Sequence, residues 1–252
     1  MRRGLGRIAA GLTFVLAALL ASCATGPPPR EITIVGTADL QGQLDPYEVE
    51  FDDDGDGVVE ATSGGGIARI ATIVRGIVEQ DAPNVVVVST GDDLMNRYFH
   101  TFKGKAIFEA MSLAGYELYA FGNHEFDKGP DVLAEALSHA DFECVCTDLV
   151  VGETPLDGLC TPWLIRDYEG LRVGFFSLMT EGFPFVTSGR DVVLSAQNLD
   201  AAATAVARLK AEGADVIVGL THIGIERDTE LAAAVPGIDV IFGGHSHEYT
   251  GG

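Results

Sequence analysis

The hexapeptide Gly122-Asn123-His124-Glu125-Phe126-Asp127 concentrates side chains that can do chemistry. An Asn carboxamide oxygen can ligate a divalent cation, and a His held by an Asp three residues on can deliver a proton or steady an oxyanion. By itself an Asn-His pair after a strand is more often a turn with a solvated or capping role. Four further polar clusters share its setting: Asp39 with Gln41, Asp92, His222, and His245 with His247. Together they offer carboxylate, imidazole and carboxamide donors, a set suited to zinc, manganese, iron or cobalt rather than calcium or magnesium.

Each cluster follows a short apolar run: Ile32–Ala38, Val85–Gly91, Tyr116–Phe121, Val216–Thr221 and Val240–Gly244. Val- and Ile-rich runs of this kind suit strands buried on both faces of a sheet, with helices on either side. Ligands of such sheets bind beyond the carboxyl ends of the strands, so five clusters at five strand ends converge on one crevice. The expected fold class is therefore α/β.

The remaining elements follow from periodicity. Ile67, Ile70, Val74, Ile77 and Val78 make one face of a helix. A helix is expected over about 103–113, another from Pro130 to about Ala140, and strands over 142–147, 163–167 and 171–178, the last two a hairpin turning at Glu169-Gly170. Leu199, Ala202, Val206 and Leu209 mark a helix that stops at Gly213, and a short helix spans about 227–234. Residues 45–63 read as a loop. Its Asp52, Asp54, Asp56 and Gly57 echo the start of a calcium loop, but Ser63 stands where a bidentate Glu belongs, so a solvated acidic insertion is the expectation.

The chain begins with Arg2, Arg3 and Arg7 ahead of an apolar run closed by Leu20-Ala21-Ser22-Cys23. This describes a secretory signal over 1–22, too short for a membrane span, with a lipobox that makes Cys23 the lipidated first residue of the mature chain. Residues 23–30 form a tether and 31–252 the folded domain. A lipid-anchored protein of the bacterial cell envelope, facing periplasm or exterior, is expected. Formal net charge is −21, and −24 once the three leader arginines are subtracted, which leaves no basic stripe for nucleic acid. Recognition of an anionic substrate must then come from local charge, and bound cations are the obvious source. Outside the leader, Cys144, Cys146 and Cys160 permit one disulfide, in which either Cys144 or Cys146 reaches Cys160.

Taken in order, the Asp39 strand end, Gly65-Gly66-Ile67-Ala68-Arg69, Gly91-Asp92, the Gly122–Asp127 hexapeptide, Thr221-His222, and Val235–Ile241 running into Gly243-Gly244-His245-Ser246-His247 resemble the calcineurin-like metallophosphoesterase superfamily, in its 5′-nucleotidase and UDP-sugar hydrolase branch. The resemblance implies a four-layered α/β/β/α sandwich, incomplete here at the C-terminus and lacking the branch's C-terminal substrate-binding domain. It implies two divalent metal ions, one held by Asp39, Gln41, Asp92 and His247 and the other by Asp92, Asn123, His222 and His245. His124, oriented by Asp127, is implied as the catalytic group. One departure stands out: the family usually has His where this chain has Gln41, which points either to a shifted metal preference or to a weakened first site. The implied activity is hydrolysis of phosphomonoesters, with a nucleotide as substrate. Cyclic-nucleotide phosphodiesterase or thiosulfohydrolase chemistry, or a non-catalytic lipoprotein that keeps the fold, are the alternatives.

Overall fold

The computed structural model describes residues 30–51 and 59–248. The signal segment, Cys23 and the Asp52–Gly57 run lie outside the described residues. Thirteen strands are present among those described: β1 (Thr33–Thr37), β2 (Tyr47–Phe51), β3 (Glu60–Gly64), β4 (Val85–Ser89), β5 (Leu118–Ala120), β6 (Glu143–Val145), β7 (Leu149–Val150), β8 (Cys160–Thr161), β9 (Trp163–Tyr168), β10 (Leu171–Met179), β11 (Val193–Leu194), β12 (Val216–His222) and β13 (Val240–Phe242). The helices are α1 (Ile67–Asp81), α2 (Asn96–Phe102), α3 (Lys105–Ala114), α4 (Pro130–Leu137), α5 (Phe183–Val186), α6 (Asn198–Ala211) and α7 (Ile225–Ala234).

Strand β4 shows why these sequences need four layers. Successive residues of a strand point to opposite faces, and Val85 to Val88 are all buried, so both faces of the strand must be covered. Val86 and Val88, with Leu118 and Ala120 of β5, pack against Val173, Phe175, Val218 and Leu220. Val87 instead joins Ile107, Phe108, Met111 and Leu133 of the helices on the outer face. Strand β10 divides the same way, since Phe175 enters the middle core while Phe176 and Leu178 meet Ala202, Val206 and Leu209 of α6. The result is a helix layer, a parallel sheet ordered β1-β4-β5-β6-β8, a second sheet ordered β13-β12-β10-β9, and another helix layer. Only β9, the hairpin partner of β10, runs antiparallel in the second sheet. This is the α/β/β/α arrangement that the resemblance implies.

Two expectations need correction. The loop over 45–63 is not structureless at its stems, because β2 and β3 pair antiparallel from Tyr47↔Gly64 to Phe51↔Glu60. The helix expected over 103–113 is present as α3, but an unexpected helix, α2, precedes it, the two separated where Lys103 and Gly104 take φ of 51° and 94°. Among the cysteines, the structure selects Cys146, which is bonded to Cys160, and leaves Cys144 a buried free thiol.

Candidate metal centre

The five clusters do meet at one edge. Beyond their last paired residues, the loops after β1 and β4 continue to bond to each other, with Thr90 N donating to Thr37 O (3.0 Å), Asp39 N to Gly91 O (2.9 Å) and Gln41 N to Asp92 O (2.9 Å). From the second sheet, β12 ends at His222, and the chain past β13 brings His245 N to 3.0 Å from Asp39 Oδ2. Each sheet therefore supplies half of the constellation.

The donor atoms cluster tightly. One ligand atom each of Asp92, His222 and His245 lies within 4.8 Å of the others. His222 Nε2 is 3.0 Å from Asp92 Oδ2 and 4.0 Å from Asp39 Oδ1, and His247 Nε2 is 3.2 Å from Asp39 Oδ1. Gln41 Nε2 lies 3.0 Å from that same His247 nitrogen, so the amide that replaces the family's imidazole points into the cluster. His124 Nε2 sits 3.9 Å from Asp92 Oδ2, while its Nδ1 is 2.7 Å from Asp127 Oδ2.

Whether these residues suit a cation can be asked of the polar atoms that protein alone leaves unsatisfied. Asn123 Oδ1 and His222 Nε2 are buried without a hydrogen-bond partner, the 3.0 Å contact of His222 with Asp92 being an ion contact out of hydrogen-bond alignment. Orphaned buried polar atoms are costly and uncommon. Both are lone-pair donors to a cation once His222 is neutral, and its Nδ1, 2.7 Å from the carbonyl of Thr90, then carries the proton and leaves Nε2 free. The residues fit a metal.

Electrostatics point the same way. Burial pulls the His222 pKa down, but Asp92 and Asp39 more than offset it, and the value rises to about 9. Asp92 is pushed up by burial and further down by His222, ending below its ordinary value. A proton on His222 thus stands where a divalent cation would otherwise neutralise the carboxylates, and the two compete. For His124, burial lowers the pKa, yet the Asp127 hydrogen bond and the Asp92 charge leave it raised.

Backbone strain gathers here as well. Asp39, Gln41, Asp92, His245 and His247 all have positive φ, between 50° and 84°. Non-glycine residues rarely adopt this region, at a cost of about 1–3 kcal/mol each, and persist there only when their surroundings hold them. A cleft of about 760 Å³ opens on Asp39, Gln41 and His247 and is also lined by Ile225 and Ser246.

Some site residues escaped the sequence. Glu125 stands inside the hexapeptide without an assigned role, yet its buried carboxylate accepts four backbone N–H groups. Asp93, also buried, accepts from Ser89 Oγ (2.6 Å) and Leu40 N (3.2 Å). Thr187 Oγ1 donates to the second oxygen of Asp127 at 3.2 Å, and Asn96 holds the Gln41 carbonyl. Their partners lie between 3 and 60 positions away, and only the hexapeptide itself marked Glu125 for attention.

The family model for calcineurin-like phosphoesterases matches residues 32–249. A 5′-nucleotidase of Bos taurus is 30% identical over 258 residues, an alignment that takes in 100% of this chain and 44% of the relative. A probable 5′-nucleotidase of Treponema pallidum is 30% identical, covering 88% of this chain and 37% of its own. Among solved structures, a 5′-nucleotidase precursor from Thermus thermophilus superposes with a TM-score of 0.80 at 33% identity, over 88% of this chain and 43% of that one. The chain thus spans less than half the length of each of these three relatives.

Proposed function

The chain belongs to the calcineurin-like phosphoesterase family, and on that premise we propose that it is a two-metal phosphomonoesterase acting on substrates of the 5′-nucleotide type. Asp39, Gln41, Asp92 and His247 would hold one cation, and Asp92, Asn123, His222 and His245 the other. Bound there, the cations supply the positive charge that fixes a phosphoryl group and acidify the attacking water. The convergence of Asp92, His222 and His245 within 4.8 Å, beside two unpartnered buried donor atoms, carries the reading.

The protein's own groups supply the rest. Asp127 fixes the His124 ring through Nδ1, which leaves Nε2 facing Asp92 and the reaction centre. A proton held at that Nε2 is positioned for the leaving alkoxide, and the Asp127 hydrogen bond and the Asp92 charge both favour holding it there. The carbonyl of Thr90 does for His222 what Asp127 does for His124, fixing the ring by its far nitrogen. Nucleotides as substrates rest on the relatives, whose names are 5′-nucleotidases.

Export and lipidation at Cys23 complete the proposal, on the leader sequence alone. No helix among the described residues is long and apolar enough to cross a membrane. Cys23→Ala should move the protein from the membrane to the soluble envelope fraction.

Purified protein loaded with manganese or cobalt should release phosphate from a nucleoside monophosphate, and Asp92→Asn, which removes the ligand shared by both cations, should abolish release and reduce the bound metal. Protein that retains no transition metal and hydrolyses no phosphomonoester would leave the non-catalytic alternative standing.

A further inference from the structure

The loops after β4 and β5 approach each other more closely than side chains on their glycines would permit. A Cβ on Gly91 would lie 2.0 Å from Gly122 N, and one on Gly122 would lie 2.2 Å from Asp92 Oδ1. Into this contact the Glu125 carboxylate projects, fully buried. Its Oε2 accepts from Asp92 N (2.9 Å) and Gly122 N (2.6 Å), and its Oε1 from Asp93 N (2.8 Å) and Leu94 N (3.0 Å). Three successive amides of one loop and one amide of the other thus close around a single carboxylate, as they would around a bound anion. Asp92 returns the link, because its Oδ1 accepts from His124 N at 2.8 Å.

We propose that Glu125 is a positioning residue that builds the metal centre before any metal arrives, by clamping the Asp92 loop to the Asn123-His124 loop at a fixed separation. The observations carry this for three reasons. Each oxygen of the carboxylate already accepts two backbone amides, which fills its acceptor capacity and leaves it no lone pair for a metal. It joins its own segment, which carries Asn123 and His124, to the Asp92–Leu94 segment 31 to 33 positions earlier in the chain. And Asp92 sits at φ 57°, a conformation that needs external support, which three bonded amides in a row provide. The four amide dipoles favour the ionised form of the carboxyl, opposing the burial and the Asp92 charge that raise its pKa.

This deepens the proposed function, since it assumes that the residues it positions hold metal, and its test separates the two. Cobalt(II) is the probe, read by affinity and by its visible ligand-field spectrum. Glu125→Gln keeps the shape but presents an NH2 to two N–H donors, so the full-length variant should fold with cobalt affinity weakened about 10- to 100-fold, the usual effect of losing a residue that orients ligands, and with a changed spectrum. Glu125→Asp keeps the charge but is one methylene too short to reach both loops, and should resemble Gln rather than wild type. Wild-type affinity and spectrum in Glu125→Gln, or full recovery of both in Glu125→Asp, would overturn the clamp. Should neither variant fold, metal-free wild type decides: the amide protons of Asp92, Asp93, Leu94 and Gly122 should exchange slowly by NMR before any cobalt is added, and fast exchange at these four would refute preorganisation. If wild type takes up no cobalt at all, the metal reading fails while the amide exchange still tests the clamp.

Discussion

His124 shows how little a single side chain does without its neighbours. The ring is partly exposed and carries no metal-facing duty in the proposed ligand sets, so its effect depends on Asp127 at Nδ1 and, behind that, on Thr187. His124→Ala should therefore leave metal binding intact and cut kcat by about 100- to 10,000-fold, the usual worth of a positioned acid. Asp127→Asn sets a finer test. Burial lowers the His124 pKa and Asp127 is the largest influence raising it, so removing that carboxylate lowers the value, and an acid that must be protonated is then lost at lower pH. The alkaline limb of the kcat profile should move to lower pH, with the acid limb unmoved. The residue types at this site were legible because they stand directly after Val- and Ile-rich runs, in an order that chance does not supply. Glu125, Asp93 and Thr187 were not, because each acts on the backbone or on another side chain through contacts that no local spacing encodes.

Long elements follow the pattern of their residues, and short ones follow their surroundings. The runs at β4, β10 and β12 were readable because they are almost continuously apolar, and α6 because its apolar residues recur at helical spacing. Strands β7, β8 and β11 are two residues each and carry no period at all. Helix α2 is a different failure. Its sequence, Asn96 to Phe102, is rich in aromatic and polar residues of modest helix propensity, and tertiary contacts hold it: Phe99 is buried, and Tyr98 Oη donates to Asp45 Oδ2 at 2.6 Å. Hairpin β2–β3 hid behind its acids, although Tyr47 to Phe51 alternates as a strand should. The break between α2 and α3 is enforced at Gly104, where φ is 94° and an added Cβ would lie 2.6 Å from that of Ala136 in α4. Gly104→Ala should consequently destabilise the fold by about 1–3 kcal/mol from overpacking alone, a change readable as a lowered urea midpoint with unaltered m-value. A neutral outcome would mean that α3 and α4 part easily, against the close packing seen between them.

At the scale of the whole molecule the problem is to keep two sheets in register, because Asp39, Asp92 and Asn123 come from one and His222, His245 and His247 from the other. Between the sheets most contacts are apolar and carry no direction, but beside the centre a polar seam joins β6 to β10. Ser177 Oγ donates to Val145 O (2.9 Å), Ser177 N to Thr147 Oγ1 (2.8 Å), and Met179 N to both oxygens of Asp148 (3.1 and 3.0 Å), while Asn198 at the start of α6 donates to Asp148 Oδ2 (3.1 Å). Hydrogen bonds of this sort fix the offset that packing alone leaves loose. They also bury Asp148, and burial outweighs the amides that favour its charge, so its pKa rises to about 7 from 3.8. The sign of the consequence follows from linkage. Between those two values the folded chain keeps a proton that the unfolded chain has released, so stability falls as pH rises from about 4 to about 7 and stays lower above it, by an amount on the order of 4 kcal/mol. Asp148→Asn removes the titrating group, so its unfolding free energy should lack this component, and the difference between wild type and variant should grow as pH rises from 5 to 8. Denaturant melts of the metal-free protein across that range measure it. Parallel curves for the two proteins would show that Asp148 stays ionised in its seam, held by the Met179 and Asn198 donors despite its burial.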